Sequence, residues 1–152
     1  MAARVAAALR AAGCSPVFAV GGDATRLAAL GLEVVADGFP GEGPLGGVIT
    51  ALEAAGGRSV MVVACDLPQL SSPTVVAVAA SLRSDVDVAV AVTPRWEPLC
   101  AAWSFRALAV LRAAFDAGDR DLRGRIATLR RSEVAIPEQD LRNVNAPSDL
   151  DQ

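Results

Sequence analysis

The sequence predicts a single α/β domain, a layered sandwich around a largely parallel β-sheet. Short valine-rich runs alternate with helix-like segments along the chain, which is the pattern of strands joined by helical crossovers. The chain has 152 residues, 53% of them hydrophobic and 20% charged, so we expect one domain with a sizeable core. No repeat, linker or low-complexity tract interrupts residues 1–152, which we therefore treat as one domain.

The first half of the chain contains three predicted strands, at 16–20, 32–36 and 59–64. A helix over 2–12 is predicted to end at Gly13, and a short second helix begins at the cap residue Asp23. Residues 37–47 are dense in glycine and proline, which predicts a loop. A helix over 47–55 follows this loop and leads to the most apolar of the strands.

The second half contains three more predicted strands, at 86–92, 97–105 and 133–137. Ser72 as a cap, with Pro73 in the first turn, predicts a helix before them. The strand 97–105 leads into a helix through about Ala117, and an arginine-studded helix follows within 119–131. Pro137 ends the last strand and marks it as an edge strand, after which a final short helix is predicted near the C-terminus.

The composition excludes several classes of function. The chain has no histidine, and all 14 basic residues are arginine, so imidazole catalysis, P-loop chemistry and lysine Schiff bases are excluded for this chain alone. The net charge of −3 argues against nucleic-acid binding. No apolar run is long enough to span a membrane, and the N-terminus lacks the layout of a signal peptide, so we expect a cytoplasmic protein without a membrane partner.

The three cysteines, Cys14, Cys65 and Cys100, have neither the spacing of a metal site nor the even number of a disulfide framework. We expect them to be small buried thiols.

Two carboxylates follow predicted strands at the points where those strands end. Asp37 follows the strand 32–36, and Asp66 follows the strand 59–64. In α/β sheets ligands bind beyond the carboxyl ends of the strands, so both side chains should face one cleft. A carboxylate there suits Mg²⁺, which takes oxygen ligands and often uses one or two protein carboxylates. The competing interpretation of Asp66 is a simple cap of the next turn.

Three other segments offer weaker signals. The glycines of 41–47 precede a helix and could bring backbone N–H groups close to an anion, although a tight turn before the helix is the preferred interpretation of this segment by itself. Asn143 and Asn145 would share one face of an extended segment and could bind a polar ligand or cap a helix. The arginines between Arg120 and Arg131 could meet an anionic substrate, but a solvated helix face is the simpler interpretation.

Taken in order, five segments resemble one family. They are LEVVAD, GPLGG, VMVVACDLPQLS, EPLCAAW and NVNAPSDL, and together they resemble the molybdenum cofactor guanylyltransferases, which are MobA-like nucleotidyltransferases. The resemblance covers nearly the whole chain. It implies a Rossmann-like three-layer sandwich of the nucleotide-diphospho-sugar transferase type. It also implies transfer of GMP from GTP to the phosphate of molybdopterin cofactor, with Mg²⁺ and release of pyrophosphate.

The resemblance assigns roles by position. Asp66 matches the catalytic aspartate that binds Mg²⁺ and nucleotide, and Asp37 matches a second aspartate that contacts the nucleotide. The loop that approaches the nucleotide corresponds to Gly43, Pro44, Leu45 and Gly46. The segments on the acceptor side correspond to Pro98, Leu99, Asn143 and Asn145.

The chain departs from the family pattern at its start. The family opens with a strand and a glycine-rich loop whose lysine binds phosphate, whereas this sequence begins within the following helix and has no lysine. The residues GGD at 21–23 replace a family asparagine. We therefore expect an N-terminally truncated domain whose first, central strand is missing. The strands 16–20 and 59–64 would then face each other across a gap with unpaired edges.

Three alternatives stay open beside GMP transfer. A related nucleotidyltransferase could use CTP or another acceptor, and a degenerate homologue could bind a nucleotide or a partner without catalysis. A phosphoacceptor receiver domain is the least favoured, because receivers need a lysine and an early acidic pair.

Overall fold

The computed structural model describes residues 1–141 and has the α/β architecture that the alternating pattern predicts. The helices are α1 (Ala2–Ala11), α2 (Ala24–Ala29), α3 (Pro44–Ala54), α4 (Ser72–Ala80), α5 (Ala107–Asp116) and α6 (Leu122–Thr128). The strands are β1 (Phe18–Val20), β2 (Glu33–Val35), β3 (Val60–Val63), β4 (Val88–Val92), β5 (Trp96–Trp103) and β6 (Arg131–Ala135). A 3-10 helix, Glu138–Leu141, follows β6. Within residues 1–141 no helix has the length and apolarity to cross a membrane.

The strands form two separate sheets. β1 and β2 pair in parallel, and the second sheet has the order β3-β5-β4-β6. β4 and β6 are parallel, whereas β5 runs antiparallel to both of its neighbours. β5 is thus the exception in a sheet that was predicted to be largely parallel. The reason is local: residues 93–95 alone join β4 to β5, which is too short for the crossover that a parallel pair requires.

The larger sheet separates two hydrophobic clusters and so produces the layered sandwich. On β4, Val88 and Val90 face one cluster, whereas Ala89 and Ala91 face the other. This alternation follows from the two-residue period of a strand. The first cluster is completed by residues of α3, α5 and α6, and the second by residues of α1 and α4. Helices therefore cover both faces of the sheet.

The two sheets face each other across a slot. Within residues 1–141, β1 pairs only with β2, and β3 pairs only with β5, so each has a free edge. The free edges, Phe18–Val20 and Val60–Val63, line a cavity of about 690 Å³. Val5 and Leu9 of α1 also line this cavity, as does Val48 of α3. The gap predicted between the strands 16–20 and 59–64 is therefore a feature of the fold.

Two predicted helix starts were wrong by a few residues. α3 begins at Pro44 rather than at residue 47, with Gly43 as its N-cap. The first helical position tolerates proline because a backbone N–H at that position would have no partner within the helix. The cap of α4 is Ser71 rather than Ser72, because the Ser71 hydroxyl accepts the N–H of Thr74 at 3.3 Å. The predicted cap Asp23 is confirmed, since its carboxylate accepts the N–H of Arg26 at 3.0 Å.

The three thiols differ in their surroundings. Cys100 on β5 is buried, and burial raises the pKa of its thiol to about 12. Cys14 is half-buried, and burial raises its pKa as well. Cys65 is exposed, so the expectation that all three are buried was wrong for this residue. It lies two residues beyond the end of β3, in the segment that leads to Asp66.

Candidate active site

Asp66 lies just beyond the carboxyl end of β3, where ligands bind in α/β sheets and where the sequence predicted a ligand-binding carboxylate. Its Oδ1 atom is buried and has no hydrogen-bond partner among the described residues. A buried polar atom without a partner costs free energy, so such atoms in folded proteins are normally paired with protein, water or ligand. Asp66 lines a cavity of about 980 Å³ together with Leu67, Thr93 and Leu99. The alternative role, a cap of the next turn, would pair this oxygen with a backbone N–H, and none pairs with Oδ1 here.

Asp37 follows β2 and shapes the loop that leads to α3. Its Oδ1 accepts the N–H of Phe39 at 2.9 Å, which makes a local turn of the chain. The hydroxyl of Thr50, on α3, lies 3.4 Å from the same oxygen. Gly21, just after β1, lies close to Asp37: a Cβ atom at Gly21 would be 3.2 Å from Cβ of Asp37. The carboxyl ends of β1 and β2 thus meet at this residue.

The four predicted loop residues at the start of α3 have different surroundings. Gly43 has φ of 85° and caps the helix, and Pro44 lines the 690 Å³ cavity. The side chain of Leu45 is fully buried in the core, so only its backbone could reach a ligand. Gly46 is buried as well, and a Cβ there would lie 2.8 Å from Cβ of Phe39. The first-turn N–H groups of a helix lack intrahelical partners and favour anions, so this end of α3 suits a phosphate.

A bulge in β5 presents the predicted acceptor segment to the larger cavity. Val90 of β4 pairs with Ala101, but the next residue, Ala91, pairs with Glu97, so residues 98–100 have no partner on β4. Proline is tolerated at such a bulge because it has no N–H to donate to a ladder. Pro98 and Leu99 both line the 980 Å³ cavity.

The two cavities are neighbours. Ala64, the residue after β3, and Leu99, on the bulge, line both of them. Asp37 lines the smaller cavity and Asp66 lines the larger one. The structure therefore brings together Asp37, the start of α3, Asp66 and the bulge. Asn143 and Asn145, like the helix predicted near the C-terminus, lie outside the described residues.

Two arginines line the larger cavity. Arg95 was not considered from the sequence, whereas Arg123 belongs to the group between Arg120 and Arg131 for which a solvated helix face was preferred to contact with an anionic substrate. Arg95 follows β4 in the turn to β5, and Arg123 reaches in from α6. The Arg123 guanidinium donates to the carbonyl of Trp96 at 2.9 Å, which holds it at the cavity wall. Arg95 could have been found by the strand-end rule that identified Asp66. Arg123 could not be distinguished from its neighbouring arginines in the sequence, because its place at the cavity depends on how α6 packs.

The described residues contain no group of three or more carboxylates, cysteines or histidines that could enclose a metal ion. A cation at this site would depend on Asp66 and on oxygens of the ligand itself, which is the usual mode for Mg²⁺ beside phosphates.

Comparison with known proteins identifies relatives over nearly the whole chain. The profile of the MobA-like NTP transferase domain matches residues 1–134. A "probable molybdenum cofactor guanylyltransferase" of Opitutus terrae is 33% identical, with all of this chain and 80% of the relative aligned. A protein of the same name from Chloroflexus aggregans is 35% identical over 90% of this chain and 71% of its own length.

A solved structure supports the fold. The crystal structure of the protein Aq1419 of Aquifex aeolicus superposes with a TM-score of 0.83 at 27% identity, covering 95% of this chain and 78% of that chain. The sequence resemblance, the family profile and the superposition therefore agree. This chain belongs to the family of the MobA-like NTP transferase domain.

Proposed function

We propose that the protein transfers GMP from GTP to the phosphate of molybdopterin cofactor and releases pyrophosphate. An oxygen of the acceptor phosphate forms a bond to the α-phosphorus of GTP, and the bond from that phosphorus to the oxygen of the β-phosphate breaks. Family membership supports nucleotidyl transfer as the reaction type, and the names of the relatives support the guanylyl group and the acceptor.

The observation that carries the proposal is the position of Asp66. It lies beside the junction of two cavities and holds a buried carboxylate oxygen that no described residue satisfies. A transferase needs two substrates to meet at one reacting atom, and two cavities that share a wall beside one carboxylate suit that requirement.

The residues around the cavities suggest which substrate each one receives. The smaller cavity has the N-terminus of α3 and the acceptor oxygens of Asp37, which suit the phosphates and the hydrogen-bond donors of a nucleotide. The larger cavity is lined by Arg95 and Arg123, whose guanidinium groups suit the phosphate of the acceptor, and also by Glu97 and Glu138. Pro98 and Leu99 give that cavity an apolar wall.

The donor set at Asp66 fits Mg²⁺. The unpartnered Oδ1 is a hard oxygen ligand, and Mg²⁺ commonly binds one carboxylate together with water and substrate phosphates. We propose that Asp66 holds the ion, which when bound neutralises charge on the transferring phosphates.

The slot between the two sheets belongs to the same proposal. The free edges of β1 and β3 each present unpaired backbone groups to an apolar cavity, which is costly unless another backbone pairs with them. We propose that a further strand lies between β1 and β3 in the active protein and fills the slot between their edges, which leaves the end of this cavity beside Asp37 and Pro44 for the nucleotide. Reading the coding DNA upstream of Met1 tests this, and a stop codon with no in-frame strand there would contradict it.

Release of pyrophosphate from GTP, Mg²⁺ and molybdopterin cofactor tests the function, using the product of the whole reading frame. We expect Asp66→Asn to lower kcat by about 100-fold or more, as for the loss of one electrostatic contact to a transition state. Asp85→Asn is the matched control, since its side chain is 71% exposed and it lies before β4, at the opposite end from the site.

Three other outcomes would each contradict part of the proposal. Equal turnover by Asp66→Asn and the parent chain removes the catalytic role of Asp66. Faster turnover with CTP than with GTP overturns the choice of nucleotide. Binding of GTP without pyrophosphate release under any of these conditions indicates a non-catalytic homologue.

A further inference from the structure

We propose that Arg120 and Glu42 form a clasp that sets the position of the loop 37–43, which would make Arg120 a positioning residue for the nucleotide. The inference rests on the proposed function, because it takes this loop as part of the nucleotide site. Neither residue lines the two cavities, so the clasp would act on the nucleotide only through the loop.

Arg120 is held in place independently of the loop. Its Nη1 donates to the carbonyls of Phe115 and Asp119, both at 2.8 Å. Its guanidinium carbon lies 3.7 Å from the centroid of the Phe115 ring, a cation–π contact. Phe115 lies in the last turn of α5, where carbonyls lack intrahelical partners and a cation is favourable. The guanidinium is therefore a fixed platform rather than a flexible surface charge.

Glu42 connects this platform to the most adaptable part of the loop. Arg120 Nε donates to Glu42 Oε2 at 2.7 Å. Glu42 stands between Gly41 and Gly43, which have φ of 80° and 85°. Glycine adopts this left-handed conformation without steric cost, so the backbone on either side of Glu42 can turn readily. Because Gly43 is the N-cap of α3, an anchor at Glu42 determines how the chain enters the helix whose first turn faces the nucleotide cavity.

The base of the loop has separate anchors. The rings of Phe39 and Phe115 pack with centroids 4.5 Å apart, and the Arg112 guanidinium lies 5.1 Å from the Phe39 centroid. Arg112 also donates to Glu53 of α3 at 2.7 Å. Opening the clasp would therefore release the tip of the loop while the base stays packed on α5. We expect the loop to change and the fold to remain.

The exposure of the clasp agrees with a positioning role. The side chains of Arg120 and Glu42 are 38% and 50% exposed, so the ion pair is partly screened by solvent. Exposed ion pairs contribute little to folding stability and weaken as salt increases. A contact of this kind can bias a loop between positions without contributing much to the stability of the domain.

Two measurements on the product of the whole reading frame test the clasp, with Glu42→Gln, Arg120→Ala and Arg120→Lys compared with the parent chain. Hydrogen exchange of the amides in 38–47 reports the loop without nucleotide, and we expect it to be at least about twofold faster in the first two variants. The KM for GTP should rise about two- to fivefold in these two variants, with kcat unchanged. Tm should stay at the parental value in Glu42→Gln, whereas Arg120→Ala also loses its contacts with Phe115 and Asp119 and should have a lower Tm. Arg120→Lys keeps a positive charge but loses the planar fork, so its exchange rate and its KM for GTP should lie between those of Arg120→Ala and the parent chain.

The matched control is Arg131→Ala. Arg131 is also stacked on an aromatic ring, Trp96, and paired with a carboxylate, Glu133, but it contacts no residue of the loop. It should leave exchange in 38–47 and the KM for GTP at the parental values.

The outcomes separate the clasp from the proposed function. Unchanged exchange in Glu42→Gln and Arg120→Ala overturns the clasp, and faster exchange with an unchanged KM overturns its role for the nucleotide. A fall in Tm and kcat at constant KM would indicate a structural role only. If the parent protein fails to turn over or bind GTP, the proposed function fails, while the exchange measurement still decides whether the clasp holds the loop.

Discussion

Gly46 lies where α3 meets the loop 37–43, and replacing it by alanine tests the geometry of that junction. A Cβ at Gly46 would lie 2.8 Å from Cβ of Phe39 and 3.5 Å from Cε2 of Phe115. The closer contact is well inside ordinary van der Waals distance and involves the rigid base of a side chain. Phe39 would therefore have to move, and its packing on Phe115 with it.

The adjacent glycine provides the comparison from which the magnitude follows. Gly47 lies in the same turn of α3, and a Cβ there meets nothing within 4 Å. Replacing glycine by alanine in a helix stabilises it by up to about 1 kcal/mol, and this gain is similar at both positions. Overpacking costs about 1–3 kcal/mol. Gly46→Ala should therefore be about 1–3 kcal/mol less stable than Gly47→Ala.

Thermal unfolding followed by circular dichroism measures this difference. For a chain of this length each kcal/mol corresponds to about 2–4 °C, so the Tm of Gly46→Ala should lie about 2–12 °C below that of Gly47→Ala. Gly47→Ala should equal or exceed the parent chain. Equal Tm values for the two variants would show that Phe39 does not pack against α3 as described, and the reasoning about this junction would fail.

Two other predictions concern titratable groups. The carboxylate of Asp87 accepts two hydrogen bonds from the Arg130 guanidinium, at 2.8 and 2.9 Å, and these bonds lower its pKa despite the opposing effect of burial. A carboxylate whose pKa is lower in the folded than in the unfolded protein contributes its full stabilisation at pH values above its unfolded pKa of about 3.9. This contribution is lost as the pH falls through the pKa of the carboxylate in the folded protein. Asp87→Asn should thus cost about 1.5–3 kcal/mol in urea unfolding at neutral pH and less in acid, and an equal cost at both pH values would contradict the pairing. For the thiols, iodoacetamide at about pH 8.5 should alkylate the exposed Cys65 in the native protein. Cys100, whose buried thiol has a pKa of about 12, should be alkylated only after denaturant is added. Mass spectrometry of tryptic peptides reads this out, and native labelling of Cys100 would refute its burial.

The periodicity of the sequence determined the order of the described elements and the edge strand before Pro137, because alternation and capping are local properties of the chain. Asp37 and Asp66 could be identified for the same reason, since they lie two and three residues beyond the ends of β2 and β3. Local patterns were less accurate at helix starts, where a proline is compatible with either the first or the second helical position. This is how the start of α4 was misplaced, whereas α3 was predicted to begin too late because Pro44 and its neighbouring glycines were assigned to the loop.

Only the tertiary structure decided which residues share a cavity. The bulge that presents Pro98 and Leu99 depends on how β5 pairs with β3 and β4 at once, and one strand's sequence does not contain that register. Arg123 enters the site because α6 packs where it does, and Arg120 instead reaches Glu42, far away in the sequence. The unpartnered oxygen of Asp66 is likewise a result of packing, because a local pattern shows where a carboxylate stands but not what surrounds it.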